Sequence, residues 1–154
     1  MSPNSLSQDL VREAPLLRED QSVEHAVRAV LESALPALPV VDADGRLKGI
    51  FGEREFMTAL FPGYVGQLKY AGFVKQSLDD AIDRRAACRS EAVGQHLNTD
   101  HVEVDEDFSD VQIAETFLHH RVLIIPVVAD RRVTGVITRA DFFGRIAERF
   151  LEAG

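Results

Sequence analysis

The chain repeats itself, and this constrains its fold more than any single motif. Ser22-Val-Glu-His-Ala-Val-Arg-Ala-Val-Leu31 is followed by Ala37-Leu-Pro-Val-Val41, an acidic turn, and Gly49-Ile-Phe-Gly-Glu-Arg-Glu-Phe56. The same order returns as Ser109-Asp-Val-Gln-Ile-Ala-Glu-Thr-Phe-Leu118, Ile124-Ile-Pro-Val-Val128, a turn, and Gly135-Val-Ile-Thr-Arg-Ala-Asp-Phe142. Pro39 and Pro126 stand 87 residues apart and Gly49 and Gly135 stand 86 apart, so the second copy has one residue fewer in its turn. Asp42-Ala-Asp-Gly45 is a strong hairpin signal, whereas the matching Ala129-Asp-Arg-Arg132 lacks glycine. Leu10 and Leu97 also match, ahead of short extended segments at 15–17 and 102–104.

Each copy reads as strand, helix, strand, turn, strand, helix, a mixed α+β or α/β unit. The helical spacing puts Val23, Ala26, Val27, Val30 and Leu31 on one face behind a Ser22 cap. The counterpart puts Val111, Ala114, Phe117 and Leu118 inward, capped by Ser109 or Asp110. Strands 38–41 and 123–128 read as buried on both faces. Pro39 and Pro126 lack a donor, which predicts a strand start or an exposed sheet margin in both copies. A half of about 60 residues is marginal alone, so the halves should pack around a pseudo-twofold axis with a cleft between them.

These residues resemble the CBS domain, named for cystathionine β-synthase, present as a tandem pair over about residues 6–60 and 93–151. The marks are Ser22-Val-x-x-Ala26, Leu38-Pro-Val-Val-Asp42 with Gly45, Gly49-Ile50, Ile125-Pro-Val-Val128 and Gly135-Val136. The division is a first unit at 1–60, a helical insertion at 61–92 and a second unit at 93–154. The resemblance implies a regulatory module that takes an adenosine-type ligand in the cleft and signals to a partner. It implies no enzyme activity.

Gly135-Val-Ile-Thr-Arg-Ala-Asp141 is similar to the family's ribose-phosphate signature. Thr138 then sits at the positive end of the last helix, beside a phosphate oxygen, and Asp141 accepts from the ribose hydroxyls. Thr-x-x-Asp is equally a helix-capping arrangement that needs no ligand. The first copy has Gly52 for the hydroxyl and Glu55 for the aspartate, which predicts an empty or weak first site. By position the resemblance assigns adenine to Asp100 and Val102 with Val122, Leu123, Ile124 and Pro126, although the apolar members serve equally as core. Relatives carry a basic residue just before the Leu-Pro pair. Here those places hold Leu123 and Ile124, or Pro36 and Ala37, and Arg139 and Arg121 are the candidates to compensate.

Charge bears on the ligand. With 17 Lys and Arg against 25 Asp and Glu the chain carries a net −8, which disfavours nucleic acid and anionic membrane as partners. An anionic ligand must be caught locally, which favours AMP or a similarly low-charge adenosine compound over a triphosphate, with ADP, ATP and S-adenosylmethionine as the further candidates. No cofactor or metal is expected: the five histidines, 25, 96, 101, 119 and 120, form no ligand motif. The adjacent His119 and His120 read as helix-end capping and solvent residues. The single Cys88 excludes an intrachain disulfide. With no leader-like apolar segment at 1–20, a cytoplasmic setting is expected.

The insertion contains a turn at Phe61-Pro-Gly-Tyr64 and a capped helix start at Ser77-Leu-Asp-Asp80 that runs to about Ala87. Tyr64, Leu68, Tyr70, Phe73 and Val74 suit an interface or the module's own core. The alternative function is therefore a ligand-free interaction module acting through 61–92. Phe142, Phe143, Ile146, Phe150 and Leu151, with Phe56, Met57 and Leu60, present more apolar surface than one core needs. This predicts a homodimer through the helices at 53–60 and 139–151, with an unidentified protein as a further possible partner.

Overall fold

A computed structural model describes residues 5–61 and 78–154. The insertion's five aromatic and aliphatic candidates at 64–74, and the Ser77 cap, lie outside them. The first unit comprises β1 (Leu17–Arg18), α1 (Val23–Ser33), β2 (Ala37–Val41), β3 (Leu47–Gly52) and α2 (Glu53–Leu60). Helix α3 (Leu78–Arg85) follows, and Arg85 donates to the Ala59 carbonyl at the end of α2 at 2.9 and 3.1 Å. The second unit repeats the order with β4 (Val104–Asp105), α4 (Asp110–His119), β5 (Ile124–Ala129), β6 (Arg132–Thr138) and α5 (Arg139–Ala153).

Each unit has a three-stranded sheet with the second strand in the middle, parallel to the first and antiparallel to the third. Pro39 and Pro126 thus lie in a buried central strand, which corrects the expectation of an exposed margin. The register explains how a donorless residue fits there. Pro39 stands opposite Ile50, whose N–H and C=O both bond outward to Asn98. The Pro39–Ile50 pair is therefore not hydrogen-bonded, and the Pro39 nitrogen faces the β1 side. There the paired residues of β1 begin only at the level of Val40, so the parallel ladder stops where Pro39 has no donor to offer. Pro126 opposite Val136, with Val136 bonded outward to Arg12, repeats the arrangement.

These outward bonds also show how the units are joined. Arg12, leading the first unit, adds to the outer edge of β6 in the second through two 2.8 Å backbone bonds. Asn98, leading the second unit, adds to the outer edge of β3 in the first at 2.9 and 3.1 Å. Each half is completed by the leading segment of the other. Gly135 and Gly49 permit the crossing: a Cβ on Gly135 would stand 2.7 Å from the Arg12 carbonyl oxygen, and one on Gly49 would stand 2.9 Å from that of Asn98.

Side-chain packing follows the same exchange. Phe51, Leu38, Leu17, Val23 and Val93 form one core, to which Ile124 and Val136 of the second unit belong and on which Leu97 packs. Ile113, Ile125, Val127, Ile137 and Phe142 form the other, packed by Leu10 and Val11 from the chain start. Each fully buried large aliphatic or aromatic side chain contributes about 1.5–3 kcal/mol, so neither half keeps its full stabilisation alone. The inward faces of two helices are narrower than the periodicity suggests. Leu31 is exposed on α1, and α4 is turned so that Ile113 and Thr116 face inward while Val111 and Leu118 are exposed. Val111 and Leu118 are two turns apart on one side of α4, with buried Ile113 on the opposite side, and Phe117 packs against Phe142 with ring centroids 5.8 Å apart.

The two hairpins reach the same reversal differently. Gly45 takes φ +83°, while Asp42 Oδ1 accepts from the Asp44 and Arg46 N–H groups. In the second unit Asp130 and Arg131 take φ +50° and +66°, so non-glycine residues occupy the left-handed positions of a two-residue turn.

Candidate ligand-binding cleft

The edge exchange determines what lines the space between the units. Asn98 is fixed on β3, which runs directly into Gly52 and the first turn of α2. The segment 95–100 therefore stands beside Arg54, Glu55 and Thr58. The turn from α4 into β5, residues 119–122, closes the opposite side. Together they enclose a cavity of about 580 Å³, within the size range of small-molecule sites. Arg54 ties its walls by donating from Nη1 to the Arg121 carbonyl at 3.1 Å. A recess beside it is bounded by Ala37, Ile50 and Leu123.

Both motif copies stand at helix starts, but only the second supplies a side-chain cap. Thr138 Oγ1 accepts the Asp141 N–H at 3.0 Å, and Thr138 is only 3% exposed. Its hydroxyl proton remains available to a further acceptor. Asp141 faces the crossing segment, where Arg12 Nη1 lies 3.3 Å from Oδ2. In the first copy Gly52 offers no side chain, and Glu55 sits at the position from which a capping-box carboxylate reaches back. Burial raises the Glu55 pKa and outweighs the backbone N–H groups of Glu55 and Gly52 that pull it down. Gly52 is sterically required: a Cβ there would stand 2.3 Å from the Pro36 carbonyl oxygen and 2.4 Å from the Ala37 Cβ.

The structure regroups the residues singled out in the sequence. Asp100 and Val122 line the cavity with Glu55 of the first copy, and Thr138, Arg139 and Asp141 are not among its lining residues. Leu123 accepts the Arg139 N–H at 3.0 Å and borders the recess. Ile124 pairs in register with Thr138, but its side chain belongs to the first core. Pro126 is buried in β5, and Val102 is half-buried and does not line the cavity. The reason is topological. With leading segments exchanged, a motif faces the leading segment of the other unit, so Asp100 meets Glu55 and Arg12 meets Asp141.

Several cavity residues escaped the sequence reading. Gln95, His96, Leu97 and Asn98 belong to a stretch that only tertiary pairing brings to β3. His119 and His120 line the cavity, which extends their assignment as helix-end and solvent residues. The signal lay three and four residues upstream of Leu123, the first position searched for a basic group. His96 is already engaged, with Nε2 2.8 Å from Glu91 Oε1. Among the described residues no group of histidine, cysteine, aspartate or glutamate could hold a metal ion, and no helix is long and apolar enough to cross a membrane.

Comparison with known proteins agrees with this architecture. The family model described as "CBS domain" matches residues 7–62 and again 93–148. No curated protein matches the sequence. A CBS domain-containing protein of unknown function from Kribbella flavida superposes with a TM-score of 0.67 at 20% identity, covering 92% of this chain and 97% of its own. A CBS-domain containing protein from Agrobacterium tumefaciens gives 0.68 at 21%, covering 95% and 98%. CBSX2, solved in complex with AMP, gives 0.66 at 18%, covering 96% and 98%.

Proposed function

Because the chain belongs to the CBS domain family, in two tandem copies, we propose that it is a regulatory module, not an enzyme, that binds an adenosine-type ligand of low charge between its units. The observation that carries this reading is the cavity of about 580 Å³ between α2 of the first unit and residues 95–100 and 119–122 of the second. The AMP complex of CBSX2, a protein of the same fold, supports the ligand class. In this reading Leu97 and Val122 supply apolar surface for a base, and Glu55 and Asp100 supply acceptors for ribose hydroxyls. Arg54 and Arg121 face the phosphate. The two carboxylates set against two guanidiniums limit the anionic charge the cavity tolerates, which favours AMP over ATP. Thr138 and Asp141, with Arg12 beside them, form a second candidate position.

The units proposed are 1–60 and 93–154, joined through 61–92. Ligand bridging their walls would shift their relative orientation and alter an outer surface. That surface is proposed to be a homodimer face on the helices at 53–60 and 139–151, where Met57, Phe143, Ile146, Phe150 and Leu151 are exposed. Calorimetry with AMP, ADP, ATP and S-adenosylmethionine tests the ligand. The expected result is AMP binding that Glu55→Ala weakens about tenfold, equivalent to about 1.4 kcal/mol. Loss in Asp141→Ala alone would move the ligand to the second position. No binding at millimolar ligand would overturn the reading. Sedimentation equilibrium of wild type and Phe143→Glu/Phe150→Glu tests the dimer; a wild-type monomer refutes it.

A further inference from the structure

The charged groups lining the cavity are not all permanent. His119 is the last residue of α4 and His120 its C-cap, so both stand where that helix ends at the cavity. Both line the cavity together with the permanent cations Arg54 and Arg121. The acidic groups facing the same space are Glu55 and Asp100. The third imidazole, His96, is bonded to Glu91 and so differs from the other two.

We propose that occupation of this cavity by a phosphate-bearing ligand is coupled to proton uptake at His119 and His120, so that the ligand binds more tightly as pH falls through neutrality. This rests on the cavity being the ligand site. An anion placed among these side chains makes protonation of both imidazoles more favourable. By reciprocity, protons already on the imidazoles tighten the anion by the same factor. Histidine is the side chain whose charge ordinarily changes between pH 5 and 8. Glu55 also moves with pH: the proton that burial favours on its carboxyl removes a negative charge facing the ligand. The two sources of coupling differ in which ligand they affect. Glu55 acts at the acceptor side and alters the binding of an uncharged nucleoside, whereas the imidazoles act on the charged end.

Calorimetric titrations at pH 8, 7 and 6 separate these contributions. The probes are AMP, adenosine 5′-sulfate, whose charge is constant over this range, and uncharged adenosine. One fully linked proton allows at most about a tenfold change per pH unit, and partial protonation gives an expected rise of about tenfold for the sulfate ester between pH 8 and 6. Any change for adenosine over the same range reports Glu55, and the rise for the sulfate ester should exceed it. In His119→Gln/His120→Gln the sulfate ester's pH dependence should flatten, and the proton uptake read from buffers of different ionisation enthalpy should vanish. These side chains are exposed, so the variant should fold normally, which its circular dichroism checks. Wild type binding the sulfate ester equally at all three pH values overturns the coupling. An unaltered slope in the histidine variant, or a slope abolished only by Glu55→Gln, also overturns it. If none of the three probes binds, the ligand reading of the cavity fails, and the coupling fails with it.

Discussion

Replacing Asp110 with alanine should release the first residues of the chain from the second unit. The Asp110 carboxylate accepts from the Ser5 hydroxyl at 3.0 Å, the Leu6 N–H at 2.8 Å, the Ser7 N–H at 3.0 Å and the Ser7 hydroxyl. Ser7 has no exposed surface. Its N–H keeps a longer contact with Ser5 Oγ at 3.3 Å, so the hydroxyl is the group left stranded. A buried donor without a partner costs about 1–3 kcal/mol. Loss of an acidic residue from the first turn of α4 adds about 0.3–1 kcal/mol, and the Ser5 and Leu6 donors recover water in part. A total near 3 kcal/mol lowers the melting temperature by about 6–12 °C for a chain of this size. Thermal denaturation followed by circular dichroism measures the shift. Hydrogen exchange at the Arg12 and Val136 amides, which pair across the units, locates it. Asp110→Asn keeps one acceptor oxygen and should lose about half as much. An unchanged melting temperature, or a lower one without faster exchange at Arg12 and Val136, would refute the clasp as what holds this segment.

The first-copy motif cannot be restored by one substitution: Gly52→Thr places a Cβ against Pro36 and Ala37 and should destabilise by about 1–3 kcal/mol, read from the denaturant midpoint. Arg131→Gly relieves a left-handed residue in the β5–β6 hairpin and should stabilise by about 1 kcal/mol; a lower midpoint would contradict the strain assignment. The carboxylates predict opposite pH effects. Burial works against ionised Asp110, but its donors win and lower its pKa, so its stabilisation is complete above the ordinary carboxylate range and is lost as pH falls through it. Burial raises the Glu55 pKa, so ionised Glu55 costs stability above that value and the cost disappears as pH falls through it. Glu55→Gln should therefore raise the melting temperature at pH 7 and have little effect near pH 4.

The repeat, the strand and helix order, and the caps at Ser22, Ser109 and Thr138 were legible because they depend on residues a few positions apart. Periodicity and capping are local, and chain chemistry alone determines them. The regular helical face was legible on α1 as far as Val30, but not where α4 turns Val111 and Leu118 outward. That rotation is chosen by packing against α5, including the Phe117–Phe142 contact. Pro39 and Pro126 show the same division. Their missing donors were plain in the sequence, but that each proline nitrogen faces the short first strand of its sheet rather than the long third one belongs to the sheet register.

The candidate site divides in the same way. Glu55, Asp100, Arg121 and Val122 could each be named from position in the repeat, as could Thr138 and Asp141. Which of them meet was decided only by the exchange of leading segments, through backbone bonds between Arg12 and Val136 and between Ile50 and Asn98. A backbone donor and acceptor are present at nearly every residue and carry no sequence signature, so the partner chosen across so many residues is invisible in the chain. What the sequence determined by itself was two interdependent halves and their motifs. The tertiary structure decided that each motif faces the other half's leading strand, because edge pairing and shared core burial are satisfied only when the halves complete one another.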